Sequence, residues 1–306
     1  MILGVDHGYG YTKTRHSILG SSVAILAVEP GVMTKVVKYN NKYYQVGNVP
    51  DAIIQDKTSD ERYYVLTLAA IAEELKVRGK NRAEVSLAVG LPFTHYGKEK
   101  SAFVDYMKQN SHVDFEYEGN KYFVTINPQI YIYPQGLSSI ISKFEQLADR
   151  NFNIVDIGTG TTEIIAVNNG ISPDMTHSRT LSKGISNCVL NVNEALGSEL
   201  GGSIPSQQII NIILNHNVTM PKKALEICKN TIADFADSLL ADISNAGVNY
   251  VLTETYFVGG GAFLIQNYAR NLNIEDTSMQ FITDIKANAI GYEELAKNQA
   301  AQRGGK

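Results

Sequence analysis

Short apolar runs recur along this chain, each closed by a turn residue, with longer stretches of helical spacing between them. The run from Ile2 to Val5 holds no polar position and stops at Asp6. Ile154 and Val155 do the same before Asp156. Continuous rather than alternating apolar positions predict strands buried on both faces. Residues 35–47 predict a hairpin turning at Asn40-Asn41, residues 115–126 one turning at Gly119-Asn120, and a third turns at Asn168-Asn169-Gly170. Residues 83–91 predict a buried strand broken by Pro92. Asp60 is expected to cap a helix that stops at Gly79. Further helices are expected over 101–110, 137–149, 185–200, 205–215 and 221–246, with Pro205 and Pro221 at their starts. A strand over 254–258 runs into Gly259-Gly260-Gly261 and a helix over 262–272; a strand over 279–283 precedes a last helix over 287–298.

The chain also repeats itself. Aligned on the aspartates, Asp6, Gly8, Gly10 and Thr12 match Asp156, Gly158, Gly160 and Thr162, every pair 150 positions apart. One D-x-G-x-G-x-T is weak evidence, since glycine-rich turns follow strands in many folds. Two copies in register, one opening each half, point to a duplicated α/β unit.

Composition narrows the function classes. The 306 residues are 44% hydrophobic, enough for a substantial core, which excludes disordered and collagen-like classes. Lys+Arg 27 against Asp+Glu 31 gives a net charge of -4, which argues against a basic nucleic-acid-binding face. Cys188 and Cys228 have neither disulfide-framework nor zinc-site spacing. The N-terminus lacks the basic region of a signal peptide, and no stretch approaches the ~18 apolar residues of a membrane span. A soluble two-domain protein of a reducing, cytoplasmic compartment is the expectation.

The repeated motif carries candidate chemistry. A glycine hairpin after a buried strand exposes successive N–H groups, an anion-binding nest. Gly8, Tyr9, Gly10, Tyr11 and Thr12, with Lys13 behind them, form one such hairpin; Gly158, Thr159, Gly160, Thr161 and Thr162 form the other. Two of them facing one another would grip a polyphosphate. Asp6 and Asp156 at the strand ends would hold Mg2+ through water. Gly259, Gly260, Gly261 and Ala262 open a helix where bare backbone admits a sugar or ring. Gln135, in Pro134-Gln135-Gly136, is a neutral amide suited to orienting a water for in-line attack. The six histidines show no metal-ligand spacing. Neither G-x-S-x-G nor a Walker P-loop is present.

These residues resemble the actin-type ATPase superfamily, which also holds chaperone ATPases and sugar kinases. DHGYGYTK (6–13) and DIGTGTT (156–162) look like its two phosphate motifs, YPQG (133–136) and ANAIG (287–291) its connecting motifs, and FVGGGA (257–262) its adenosine motif. The narrower resemblance is to bacterial actin-like plasmid segregation proteins of the ParM/StbA type, through Gly90-Leu91-Pro92, the ANAIGY helix and SKGISN (182–187), with Gly184 near the sugar. Gln135 stands where ParM typically has glutamate, and Tyr9 and Tyr11 where many relatives have smaller or polar residues.

The resemblance implies an actin-like, ribonuclease H-like α/β fold with two duplicated domains around a nucleotide cleft, domain I over 1–140 plus 286–306 and domain II over 141–285. It implies an ATPase with ATP and Mg2+ as cofactors, GTP being the alternative nucleotide, and Gln135, Asp156 and Asp6 as catalytic residues. It implies self-association into filaments and plasmid DNA segregation through a DNA-binding adaptor on a centromere-like site, without direct nucleic-acid or membrane binding. The competing class is a monomeric phosphotransferase, a sugar or acetate-type kinase on the same fold. It needs an additional general-base aspartate in a G-x-D-type context, and no extra one is evident. A chaperone would need a peptide-binding domain beyond the chain's length.

Overall fold

Strands that carry apolar side chains at successive positions need cover on both faces, and the computed structural model supplies it for the two strands that open the halves. It describes residues 1–29, 31, 35–47, 58, 60–170, 172–270 and 274–304. The chain divides into two units, Met1–Ser142 with Lys286–Lys306, and Lys143–Ile285.

In the first unit β1 (Ile2–His7) is buried from Leu3 onward. It pairs antiparallel with β2 (Tyr11–Lys13), which pairs with β3 (Ile18–Gly20). On its other side β1 lies parallel to β7 (Arg82–Leu91). That long strand carries two neighbours along one edge: β9 (Asn120–Ile126) on its first half and β10 (Tyr131–Pro134) on its second. Beyond β9 the sheet continues through β8 (His112–Tyr117), β5 (Val36–Tyr39) and β6 (Lys42–Gly47) to β4 (Ser22–Leu26). Helix α1 (Arg62–Val77) is buried along most of its length, and α2 (Tyr96–Met107) joins β7 to β8.

The second unit has β11 (Phe152–Ile157), β12 (Thr162–Asn168) and β13 (Ser172–Leu181) as an antiparallel meander. Strands β14 (Thr255–Val258) and β15 (Met279–Ile282) are added in parallel. The order β13-β12-β11-β14-β15 reproduces β3-β2-β1-β7-β10 strand for strand, in the same relative directions. The duplication read from four matched residues is therefore a duplication of topology. Helices α3 (Ile185–Leu200), α4 (Ser206–Ile213), α5 (Lys222–Asn245) and α6 (Ala262–Tyr268) pack an apolar core around Val192, Ile232, Leu239 and Phe257.

Helix α7 (Ala287–Gly304) belongs to the first unit and packs on β1, β7 and β10. Gly90 lets it come close: a Cβ there would sit 2.0 Å from the Tyr292 hydroxyl. Among the described residues no helix is long and apolar enough to cross a membrane.

Several local expectations change. The turn expected at Gly119-Asn120 lies at Glu118-Gly119, both with positive φ (49° and 77°). Asn120 already pairs with Tyr117, the register that keeps Val113, Phe115 and Tyr117 on the face shared with Tyr122, Val124 and Ile126. The helix expected over 137–149 is a 3-10 segment, Leu137–Lys143, followed by turns. Ser138 and Ser139 donate their hydroxyls back to the carbonyls of Pro134 (2.9 Å) and Gly136 (2.5 Å), which competes with an α-helical start. Helix α2 begins at Tyr96 rather than 101, and α7 extends past 298 to Gly304. Pro205 and Pro221 sit at N-cap positions, one residue earlier than expected. Asp60 accepts the N–H of Arg62 at 2.8 Å, as a capping carboxylate does, although Glu61 is the N-cap residue. Helix α6 ends at Tyr268; residues 271–272 of the expected helix lie outside the described residues. The short strands β3 and β4 have no counterpart in the sequence reading.

Candidate functional site

The predicted site residues fall into two groups, one in each unit, and each group is built on a glycine hairpin of the same geometry. In the first, the Gly8 N–H closes on the Tyr11 carbonyl at 3.1 Å, with Asp6 opposite Lys13 and His7 opposite Thr12. In the second, the Gly158 N–H closes on the Thr161 carbonyl at 2.9 Å, with Asp156 opposite Glu163 and Ile157 opposite Thr162. The copies differ in charge where Lys13 and Glu163 correspond.

In the first unit the structure gathers Asp6, Lys13 and Gln135. Asp6 is 2% exposed. Lys13 Nζ lies 3.1 Å from its Oδ2, and the Gln135 Nε2 donates to its Oδ1 at 2.9 Å. Gln135 sits on the turn leaving β10, where its N–H bonds the Leu91 carbonyl at 2.8 Å. The next residue, Gly136, has φ 73° and donates its N–H to the Asn288 Oδ1 at 3.0 Å. Asn288 stands in the first turn of α7, so the ANAIG segment fixes the turn that carries Gln135. The Thr12 hydroxyl is buried and bonds Ser21 Oγ at 2.9 Å, and Ser21 Oγ donates to the Gly8 carbonyl at 2.6 Å.

Behind Lys13 the loop of residues 14–17 rests on Glu74, a fully buried carboxylate of α1. Glu74 accepts the Thr14 hydroxyl at 2.5 Å, the His16 N–H at 2.9 Å and a guanidinium N–H of Arg78. Burial pushes this carboxyl upward, but hydrogen bonds from Thr14, Arg78 and His16 outweigh burial and hold it at about 2. The sequence offered no signal for Glu74, which reads there as one more charge on a helix.

In the second unit the hairpin is braced by the start of α3. The Ile185 N–H donates to the Gly158 carbonyl at 3.1 Å; the Ser186 N–H and hydroxyl both donate to the Thr159 carbonyl at 2.8 Å. Gly184, the N-cap, admits no side chain, since a Cβ would lie 2.6 Å from the Thr159 carbonyl oxygen. The buried Thr162 donates its hydroxyl to the Lys183 carbonyl at 2.7 Å. Thr12 and Thr162 thus brace their own hairpins. With the carbonyls occupied by α3, the N–H groups of Thr159, Gly160 and Thr161 donate to no backbone carbonyl among the described residues. This is the nest an oxyanion fills.

The Gly259-Gly260-Gly261 turn lies beside this hairpin. The Gly261 N–H donates to the Ile157 carbonyl at 3.0 Å, and a Cβ on Gly259 would lie 2.5 Å from Asp156 Oδ1. Asp156, Gly158 to Thr162, Gly184 and Gly259 to Ala262 therefore form one contiguous cluster around the ends of β11 and β14, with Thr162 and Ala262 buried beneath it. Among the described residues no group of three His, Cys, Asp or Glu side chains forms a protein cage for a metal. Single carboxylates beside an anion nest fit a Mg2+ held mainly by phosphate and water.

Residues 4–137 match the family model for the N-terminal domain of actin-like proteins, and residues 154–270 that for the C-terminal domain of the archaeal actin homologue, MreB-like. No curated protein matches the chain. Among solved structures, the archaeal actin homolog Ta0583 in complex with ADP is 20% identical, over 97% of this chain and 99% of that one, with a TM-score of 0.76. A 15-stranded ParM filament from Clostridium botulinum is 20% identical over 97% and 99%, TM-score 0.70. The actin-like protein Alp7A is 13% identical over 100% and 99%, TM-score 0.76. With an actin-type domain model on each half and an actin-type fold along nearly its full length, this chain belongs to the actin-like proteins.

Proposed function

We propose that this protein is a filament-forming ATPase that segregates plasmid DNA through a DNA-binding adaptor. The observation that carries the reading is the paired hairpin: two strand–glycine turns with the same closing bond, each preceded by an aspartate near the strand end. In one of them the three turn amides donate to no backbone carbonyl among the described residues. The ADP bound to Ta0583 and the filament formed by the Clostridium ParM, both on this fold, support nucleotide binding and self-association.

In this reading Gly8 to Lys13 and Gly158 to Thr162 hold the phosphates, and Gly184 with Gly259 to Ala262 accommodates the nucleoside. Asp6 and Asp156 hold Mg2+ through water, and the ion, when bound, offsets the phosphate charge. Gln135 orients the attacking water. Its nitrogen is committed to the Asp6 carboxylate, which leaves Oε1 as the acceptor for a water proton. The two nucleotide-binding halves are 1–140 plus 286–306 and 141–285, and the protein works in the cytoplasm. The nucleotide in this reading is ATP, with GTP the alternative.

Light scattering after addition of ATP–Mg2+, with phosphate release followed in the same sample, tests the reading. A scattering rise above a critical concentration, followed by phosphate release, is the expected result. Phosphate release linear in protein concentration with no scattering would overturn the filament and direct attention to a small-molecule phosphoryl acceptor.

A further inference from the structure

The residue between the end of β13 and the Gly184 cap is tied to two places at once. The backbone carbonyl of Lys183 accepts the Thr162 hydroxyl at 2.7 Å, at the base of the second hairpin. Its side chain runs the other way, to α5. The ammonium donates to Asp242 Oδ2 at 2.6 Å and to Ser238 Oγ at 2.8 Å, and it lies 5.2 Å from the centre of the Phe235 ring. Phe235, Ser238 and Asp242 are spaced along one face of that helix. Lys183 is therefore anchored by three groups of a long, well-buried helix, while its main chain sets the height of the loop that receives α3.

The next residues show what depends on that height. The Cβ position of Gly184 lies within 2.8 Å of the Gly158 and Thr159 carbonyl oxygens, and the N–H groups of Ile185 and Ser186 land on the same two carbonyls. These contacts fix the orientation of the peptide planes whose other sides carry the turn amides. A shift of a few tenths of an ångström in Lys183 would be passed to them directly.

We propose that Lys183 is a positioning residue that, through Asp242 of α5, sets the second hairpin in its anion-binding conformation; its effect on nucleotide rests on the function proposed above. The Lys183 and Asp242 side chains are 23% and 44% exposed. An ion pair so placed contributes little to global stability, which separates a positioning role from a merely structural one.

The test compares wild type, Lys183→Met, Asp242→Asn, the double variant and Lys183→Arg. Methionine keeps an unbranched stem beside Phe235 and removes the charge. The first readout is amide hydrogen exchange over residues 158–162 and 184–186 in the nucleotide-free chain, which needs no ligand. Lys183→Met and Asp242→Asn are each expected to speed exchange there by about tenfold, with the melting temperature unchanged; the double variant is expected to match either single one. Lys183→Arg, which keeps the charge, is expected to restore protection. Unchanged local exchange in both single variants, or exchange that rises evenly across the protein, would overturn the proposal.

The second readout is binding of ADP and ATP. Both single variants are expected to weaken it by about five- to tenfold. Weakening by Lys183→Met with unchanged or tighter binding by Asp242→Asn would overturn the positioning role, because the ammonium would then touch the nucleotide itself. Wild type that binds neither nucleotide would overturn the proposed function, while the exchange measurement would still decide the role of Lys183 in the hairpin.

Discussion

Gln135 turns its side-chain nitrogen onto Oδ1 of Asp6 at 2.9 Å, and a carboxylate partner fixes which way that amide faces. Lys13 holds the other carboxylate oxygen at 3.1 Å. One aspartate thus orients the amide proposed to position water and restrains the cation beside the first hairpin. Replacing Gln135 by alanine is expected to lower the rate of phosphate release by about a hundredfold, with a change of less than about threefold in nucleotide affinity. Single-turnover hydrolysis and equilibrium binding measure the two separately; hydrolysis within twofold of wild type would remove Gln135 from the mechanism.

The three consecutive glycines are not equivalent. A Cβ on Gly261 would lie 2.1 Å from Ile157 Cγ2, and one on Gly259, whose φ is 81°, 2.5 Å from Asp156 Oδ1. At Gly260 the nearest atom, Ile285 Cγ2, is an ordinary 3.7 Å away. Gly261→Ala is expected to destabilise by about 1–3 kcal/mol through overpacking. Gly260→Ala should stay within about 0.5 kcal/mol of wild type. Gly259→Ala should also weaken nucleotide binding, since it displaces Asp156. Denaturant melts of the three variants rank them, and equal losses at all three positions would contradict the geometry.

Glu74 predicts a pH dependence with a definite sign. Its folded value, about 2, lies below the ordinary 4.5, so its contribution is fully present above pH 4.5 and is lost as pH falls toward 2. The side chain is fully buried, and the contribution is on the order of 3 kcal/mol. Glu74→Gln is expected to lower stability at pH 7 and to flatten the stability–pH curve between 4.5 and 2. A parallel curve for the variant would show that other carboxylates govern acid unfolding.

Asn288 is expected to matter through its bond to Gly136. Asn288→Ala leaves the Gly136 N–H without its 3.0 Å acceptor in a buried turn, a loss of about 1–3 kcal/mol. Because that turn carries Gln135, hydrolysis should fall more than nucleotide affinity. A variant with wild-type hydrolysis and lowered stability would reduce the contact to a structural one.

Much of the architecture was legible in the chain. Strand ends with aspartate and glycine, the Asn-rich turns and the exact span of α3 could be read because they depend on nearest neighbours: which residues tolerate positive φ and which stop an apolar run. Gln135 and the glycine clusters were legible for the same reason. The Glu118-Gly119 turn was misread by one residue, since the choice between two adjacent turns is made by the pairing of Tyr117 with Asn120 across the ladder. The 137–149 helix was misread because Ser138 and Ser139 bond backward to a turn whose shape depends on Asn288, over a hundred residues away in the chain.

By itself the sequence determined the duplication, the two hairpins and the residue types at their tips, because strand burial and glycine conformations are local properties. Only the tertiary structure decided what holds those tips in place: Asp6 between Lys13 and Gln135, Glu74 under the loop behind Lys13, and Lys183 strung between the second hairpin and α5. Apart from the Asp6–Lys13 pair inside the first hairpin, each of these relations joins elements far apart along the chain. Hydrogen-bond partners at such separations are selected by packing and not by spacing, so no local pattern encodes them.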